Sequence, residues 1–123
     1  MYYIGIDISK FKHDCAVIDD SGEIVTPSWS FTNDAEGFSQ LKLLLNSLDT
    51  ETRIGLESTG HYGMNLKLFL ESNNFSFMEF NPLLINRFVK SKSLRKIKSD
   101  SIDCMMIAHY LMTVEHKPYR SSF

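Results

Sequence analysis

Four carboxylates in this chain stand where side-chain type and spacing could do chemistry. Asp7 interrupts the apolar run "IGIDIS", Glu57 closes "TRIGLE" ahead of "STG", and Asp100 and Asp103 lie three apart in "KSDSIDC". A carboxylate buried in a central strand is costly unless it is paired or metal-bound. Each acid also has a plainer reading. Asp7 could be hydrogen-bonded by a neighbouring loop, and Glu57 could favour the dipole of a following helix. Asp100 and Asp103 could be first-turn acids behind a Ser99 cap, on one helical face with Cβ atoms roughly 5–6 Å apart. Together the four make an all-oxygen set with no histidine or thiolate in the group, which suits Mg²⁺ or Mn²⁺ better than zinc. Two such ions about 3.5–4 Å apart can activate an attacking oxygen and stabilise a leaving one in phosphodiester chemistry.

The stretch ahead of the last two acids has the opposite charge. Between residues 81 and 99 lie Arg87, Lys90, Lys92, Arg95, Lys96 and Lys98, six of the thirteen Lys and Arg residues, with no Asp or Glu. A solvated surface loop would explain a few of these. The whole uncompensated run points to a phosphate backbone held beside the acids, and Lys10, just past Asp7, joins the nucleic-acid-binding candidates. Phe88 and Leu94 within the run read as core contacts and not as base-stacking platforms.

The elements that must position these residues follow from periodicity. "MYYIGIDIS" alternates as a central strand, "HDCAVID" (13–19) is a second strand, and "EIVTPSWSF" (23–31) is a third. Pro27 cannot donate to a ladder and places the third strand at an edge. "NDAEGFSQLKLLLNSL" then changes to helical period, with Asn33 as N-cap, Glu36 three residues on, and an apolar stripe of Phe38, Leu41, Leu44, Leu45 and Leu48. "TRIGLE" (52–57) is a fourth strand, "STGHYGMNLKLFLES" a second helix burying Leu66, Phe69 and Leu70, and "NFSFMEF" (74–80) a fifth strand. Asn81 caps a third helix with Pro82 at its first position. A fourth helix runs from about Ser99 to Thr113, docked through Ile102, Met105 and Met106. The order predicts an α/β fold: a mixed five-stranded sheet, a three-strand antiparallel meander followed by βαβ crossovers, with helices on the faces. That is the ribonuclease-H-like order.

Length and composition agree with one such domain. The 123 residues carry 43% hydrophobic and 23% charged residues and a net charge of −2, ordinary values for one globular core. No apolar run approaches the ~20 residues of a membrane span, so no membrane partner and a cytoplasmic location are expected. Cys15 and Cys104 stand far apart, and His13, His61, His109 and His116 lack ligand spacing, so neither disulfides nor a histidine metal site is expected.

With these residues placed, the chain resembles the N-terminal, RuvC-like domain of the DEDD transposases of the insertion-sequence one-ten family. The matching segments are "GIDISK" (5–10), "LESTGHYG" (56–63), "NP" (81–82), "KIKSDSIDC" (96–104) and "IAHYL" (107–111), in family order over nearly the whole chain. The departures are Ser99 where Thr is usual and Cys104 where Ala is usual. By position, the resemblance assigns the family's four acids to Asp7, Glu57, Asp100 and Asp103, as catalytic residues and as ligands of Mg²⁺ or Mn²⁺. It implies DNA cleavage and strand transfer, DNA as a partner, a structured guide RNA, and assembly as a homo-oligomer. It also implies a further C-terminal domain bearing a serine nucleophile. Within this sequence we expect the RuvC-like domain over 1–113, an irregular tail over 114–123, and no room for that second domain. A stand-alone RuvC-like resolvase or nuclease, or a non-catalytic nucleic-acid-binding remnant, are the competing readings. "IGIDISKFKHDCAVID" also looks like the first phosphate loop of the actin-like sugar kinases, but a second such loop is missing.

Overall fold

Strict alternation of β-branched residues makes the first strand two-faced, and both faces become buried. The computed structural model describes residues 1–58, 60–91 and 103–114. Five strands form one sheet: β1 (Tyr2–Ile8), β2 (Lys12–Asp19), β3 (Ile24–Thr32), β4 (Thr52–Glu57) and β5 (Phe77–Phe80). Their spatial order is β3-β2-β1-β4-β5. The first three pair antiparallel, while β4 runs parallel to β1 and β5 parallel to β4. This is the ribonuclease-H-like arrangement expected from the element order. β3 is an edge strand, and Pro27 falls where its register against β2 slips between the Cys15–Trp29 and Val17–Thr26 pairs. A bulge on an edge is where a residue without an N–H is tolerated.

Ile4, Ile6 and Ile8 face one side of the sheet and join Val17, Ile54 and Leu56 under α1 (Ala35–Ser47) and α2 (Met64–Ser72). Tyr3, Gly5 and Asp7 therefore face the other side, where α3 (Pro82–Ser91) and α4 (Cys104–Thr113) pack. Met78, Phe80, Ile85, Val89, Ile107 and Leu111 form the core there. Phe88 packs against this cluster, with its ring centroid 5.4 Å from that of Tyr110. Leu94 lies outside the described residues.

Gly5 lets α4 reach the sheet. A Cβ at that position would collide with the carbonyl oxygen of Cys104 and come within 2.5 Å of the Ala108 nitrogen. Without a side chain, β1 and α4 touch backbone to backbone, and α4 lies across β1, β2 and β4.

Besides one-residue shifts at the ends of β1, β2 and β3, four boundaries differ from the expectations, each for a local reason. The cap of α1 is Asp34, whose Oδ1 accepts from the Gly37 N–H at 2.9 Å, and not Asn33. α2 starts only at Met64, behind a 3-10 turn at Gly60–Gly63, because Gly60 takes a left-handed φ of +72° that an α-helix does not accommodate. β5 starts at Phe77 and not at Asn74. Asn74 adopts φ of 63° to close α2, and the Phe75 N–H returns to the Leu70 carbonyl at 2.8 Å. α4 starts at Cys104 and not near Ser99. Asp103 is extended (φ −108°, ψ 170°) and caps the helix by accepting from the Met106 N–H at 2.9 Å. Asp103 is therefore a cap and not a first-turn residue of α4. Asp100, Ser99 and Ile102 lie outside the described residues, as does the expected tail from Glu115 onward. No helix among the described residues is long and apolar enough to cross a membrane.

Candidate functional site

Register assembles the acids. Asp7 pairs with Asp14 of β2, and Asp14 pairs in turn with Ser30 of β3. On the other side, the parallel ladder matches Ile6 with Leu56, so Glu57 stands level with Asp7 on β4, beside Phe80 of β5. Ser30, Asp14, Asp7, Glu57 and Phe80 thus form one row across the sheet, on the face that α4 covers. The β4–β5 ladder continues one step beyond Glu57, where the Ser58 N–H donates to the Phe80 carbonyl at 2.8 Å. A cavity of about 380 Å³ opens there, lined by Ser58, Glu79, Phe80, Asn81 and Pro82.

The row is electrostatically loaded. Burial first, then the neighbouring Glu57, Asp14 and Asp103 carboxylates, pushes the Asp7 carboxyl up to about 7. Burial also raises Glu57. Asp103, exposed at the start of α4, is close enough to act on Asp7 although one of its oxygens is used as the helix cap. Cys104 follows it, buried, with Sγ 3.3 Å from Ser28 Oγ, and burial pushes its thiol up to about 11. A thiol so raised is not a nucleophile at neutral pH.

Of the four acids named from the sequence, Asp7 and Glu57 stand side by side on adjacent strands, and Asp103 acts on Asp7 from the start of α4. Asp100 lies outside the described residues, as do Lys92, Arg95, Lys96 and Lys98. Arg87 and Lys90 are exposed on α3, and Lys10 is exposed in the turn after β1. Asp14 was missed. Its signal lay in the sequence, because a tight turn after "IDISK" carries the next strand back past Asp7 and leaves Asp14 opposite it. Ser30 Oγ donates to Asp14 Oδ1 at 2.5 Å and fixes it in the row.

Among the described residues, no three His, Cys, Asp or Glu side chains are grouped closely enough to hold an ion. The donor chemistry nevertheless suits a hard divalent cation: oxygen donors only, with Asp7 and Glu57 side by side and the capping Asp103 above them. Repulsion among half-buried carboxylates is the cost that such a cation removes.

Asn33, also missed as more than a cap, holds the rim of this row. Its Nδ2 donates to the Lys10 carbonyl at 3.1 Å and the Tyr62 carbonyl at 3.4 Å, and its N–H donates to the Phe11 carbonyl at 2.9 Å. The segment after Asp7 is thereby tied to the segment after Glu57. His13, fully buried, accepts from the Ser9 N–H through Nδ1 at 3.2 Å, so its proton sits on Nε2. Nε2 and Asn33 Oδ1 are both buried without a well-formed bond; burial lowers the pKa of the ring, and Asn33 leads the groups that oppose this, ahead of the Lys12 backbone and Asp14. Donor and acceptor therefore face each other, and a small adjustment pairs them. Asn33→Ala should cost about 1–3 kcal/mol, the penalty for stranding buried polar groups. Urea unfolding measures this, and hydrogen exchange should show faster exchange at Ser9. Unchanged stability would mean that Asn33 ties nothing.

The transposase family model DEDD_Tnp_IS110 matches residues 4–122. The chain belongs to this DEDD transposase family. It is 33% identical over 112 residues to the pilin gene-inverting protein of Moraxella bovis, covering 88% of this chain and 33% of that protein. It is 32% identical over 111 residues to the pilin gene-inverting protein of Moraxella lacunata, with the same coverage on both sides. The chain spans about a third of the length of these curated relatives. Family membership agrees with the ribonuclease-H-like sheet, and it covers both the strand segments that carry Asp7 and Glu57 and the helix capped by Asp103.

Proposed function

We propose that this chain is the metal-dependent catalytic domain of a DNA transposase. Asp7, Glu57, Asp100 and Asp103 hold Mg²⁺ or Mn²⁺, and Lys10, Arg87, Lys90, Lys92, Arg95, Lys96 and Lys98 hold the nucleic-acid backbone. The observation that carries this reading is Asp7 level with Glu57 on adjacent parallel strands, in a row overlooked by the Asp103 cap. The bound cations would supply charge stabilisation and an activated oxygen for phosphodiester cleavage and strand transfer.

The chain's own residues do the rest. Asp7 and Glu57 are offered at the C-terminal ends of two interior strands, where the backbone is held because β1 and β4 are each paired on both sides. α4, seated on Gly5, carries Asp103 toward the same end of the sheet. Arg87 and Lys90 present positive charge from α3, which begins at the cavity beside Glu57. A guide RNA, a homo-oligomer and a cytoplasmic location enter this reading through the family resemblance, and a serine-bearing second domain would complete the strand-transfer chemistry.

Thermal unfolding with and without divalent cation tests the proposal. A ligand at 100 times its dissociation constant stabilises a folded state by about 2.7 kcal/mol. The melting temperature should rise with Mg²⁺ or Mn²⁺, and Glu57→Gln should lose most of the rise. No response of the unsubstituted chain to either ion would leave a nucleic-acid-binding module without a catalytic metal.

A further inference from the structure

The two segments that follow Asp7 and Glu57 carry exposed rings that the core does not use. Phe11 is 76% exposed at the β1–β2 turn, and the Lys10 ammonium lies over its ring, 5.1 Å from the centroid. Tyr62 is 38% exposed in the 3-10 turn after β4, and its ring centroid is 4.4 Å from that of the exposed His61. Asn33 bonds to the carbonyls of Lys10, Phe11 and Tyr62, so these rings sit on one tied rim and not on two independent loops.

We propose that this rim is a stacking platform for unpaired bases of a DNA strand entering the carboxylate row. Three observations choose this occupant. The exposed groups are flat aromatics with a cation, the combination that stacks bases without reading their identity. Aliphatic side chains, which would suit a protein partner, are exposed elsewhere, as at Leu43 of α1 and Leu68 of α2. The rim is continuous with the ends of the two strands that carry Asp7 and Glu57. The flanking charges also fit a phosphate backbone. Lys10 and Lys12 are exposed there, while Asp34, next to Asn33, has its Oδ1 occupied by Thr32 Oγ1 (2.6 Å) and the Gly37 N–H. Because the rim is tied by Asn33 before any strand arrives, little ordering is left to oppose binding.

The inference rests on the proposed action on DNA, and one titration separates the two. Fluorescein-labelled oligo-dT, the matching duplex and oligo-U are titrated against the 123-residue chain by anisotropy at several salt concentrations. Single-stranded dT should bind more tightly than duplex. Phe11→Ala and Tyr62→Ala should each weaken dT binding roughly 10-fold with the salt slope unchanged, since no phosphate contact is lost. Lys10→Ala should instead flatten the slope. Phe11→Trp should restore affinity and Phe11→Leu should not, which separates ring stacking from apolar contact. Phe11 is too exposed for these variants to unfold the chain. Failure of the unsubstituted chain to bind any DNA overturns the DNA reading itself. Normal DNA binding with Phe11→Ala unchanged, full rescue by Phe11→Leu, or ring-dependent binding confined to oligo-U overturns the platform alone.

Discussion

Asp7→Asn is expected to raise the melting temperature of the metal-free protein at pH 8 and to leave it nearly unchanged at pH 4. Burial and three neighbouring carboxylates push the Asp7 carboxyl from 3.8 up to about 7 in the folded state. Below pH 4 the group is protonated whether the chain is folded or not, and it contributes nothing. As pH rises from about 4 to 7 the unfolded chain releases this proton while the folded chain retains it, so folding loses stability through that window. Above about 7 the loss is complete and constant. Asparagine never ionises, so the difference between the two proteins traces this one group. Asp7 is only half-buried, and screening reduces the effect to on the order of 1–2 kcal/mol, or about 5 °C in a domain of this size.

His13 works in the opposite direction, because burial lowers its pKa and costs stability as pH falls below 6.5. It is present in both proteins and cancels in the difference. The same substitution should abolish the proposed stabilisation by Mg²⁺ or Mn²⁺. Equal melting temperatures at pH 8 would mean that Asp7 is not held against other carboxylates.

Gly5→Ala should be severely destabilising for a change of a single methyl group. The added Cβ points at the Cys104 carbonyl and the Ala108 nitrogen, both backbone atoms of α4 that no rotamer change can move. Overpacking costs about 1–3 kcal/mol where side chains can yield. Here the helix must lift off the sheet, and a loss of at least ~3 kcal/mol is expected, a large part of the ~5–15 kcal/mol that holds a domain together. Asp103 caps α4 and would be carried away from Asp7, so the metal response should weaken in whatever fraction stays folded. Gly55→Ala is the control. Its Cβ would meet only side chains, Phe80 Cε2 at 2.9 Å and the Leu111 methyls at 3.4 Å, which can shift. Urea unfolding compares the two, and a Gly5→Ala protein as stable as Gly55→Ala would remove the close-packing account of α4.

Much of this architecture is local in origin and was readable as such. Alternation in "YYIGIDI" needs only a period of two, and "TRIGLE" coincides with β4 residue for residue. Pro82 after Asn81 starts α3 as expected, with Asn81 Oδ1 accepting from the Leu83 N–H at 2.8 Å. Caps were harder. Asn33 and Asp34 are adjacent candidates of equal local merit, and distant partners separate them: Lys10 and Tyr62 engage the Asn33 amide, which leaves Asp34 to cap α1. The start of α4 shifted for a related reason, since Asp103 can serve as a first-turn acid or as a cap, and the extended backbone at that residue makes it the cap.

The sequence by itself determined the elements, their order, and the presence of one acid within the first strand and one at the end of the fourth, because these depend on neighbours a few residues away. Only the tertiary structure decided which groups share a face. The register of β1 against β2 and β4 aligns Asp14 and Glu57 with Asp7, and the contact over Gly5 brings Asp103 above them. Asn33 likewise acquires its role only when three separate turns meet. Electrostatic coupling and hydrogen bonding fall off within a few ångströms, so they depend on folded distances that spacing along the chain does not contain.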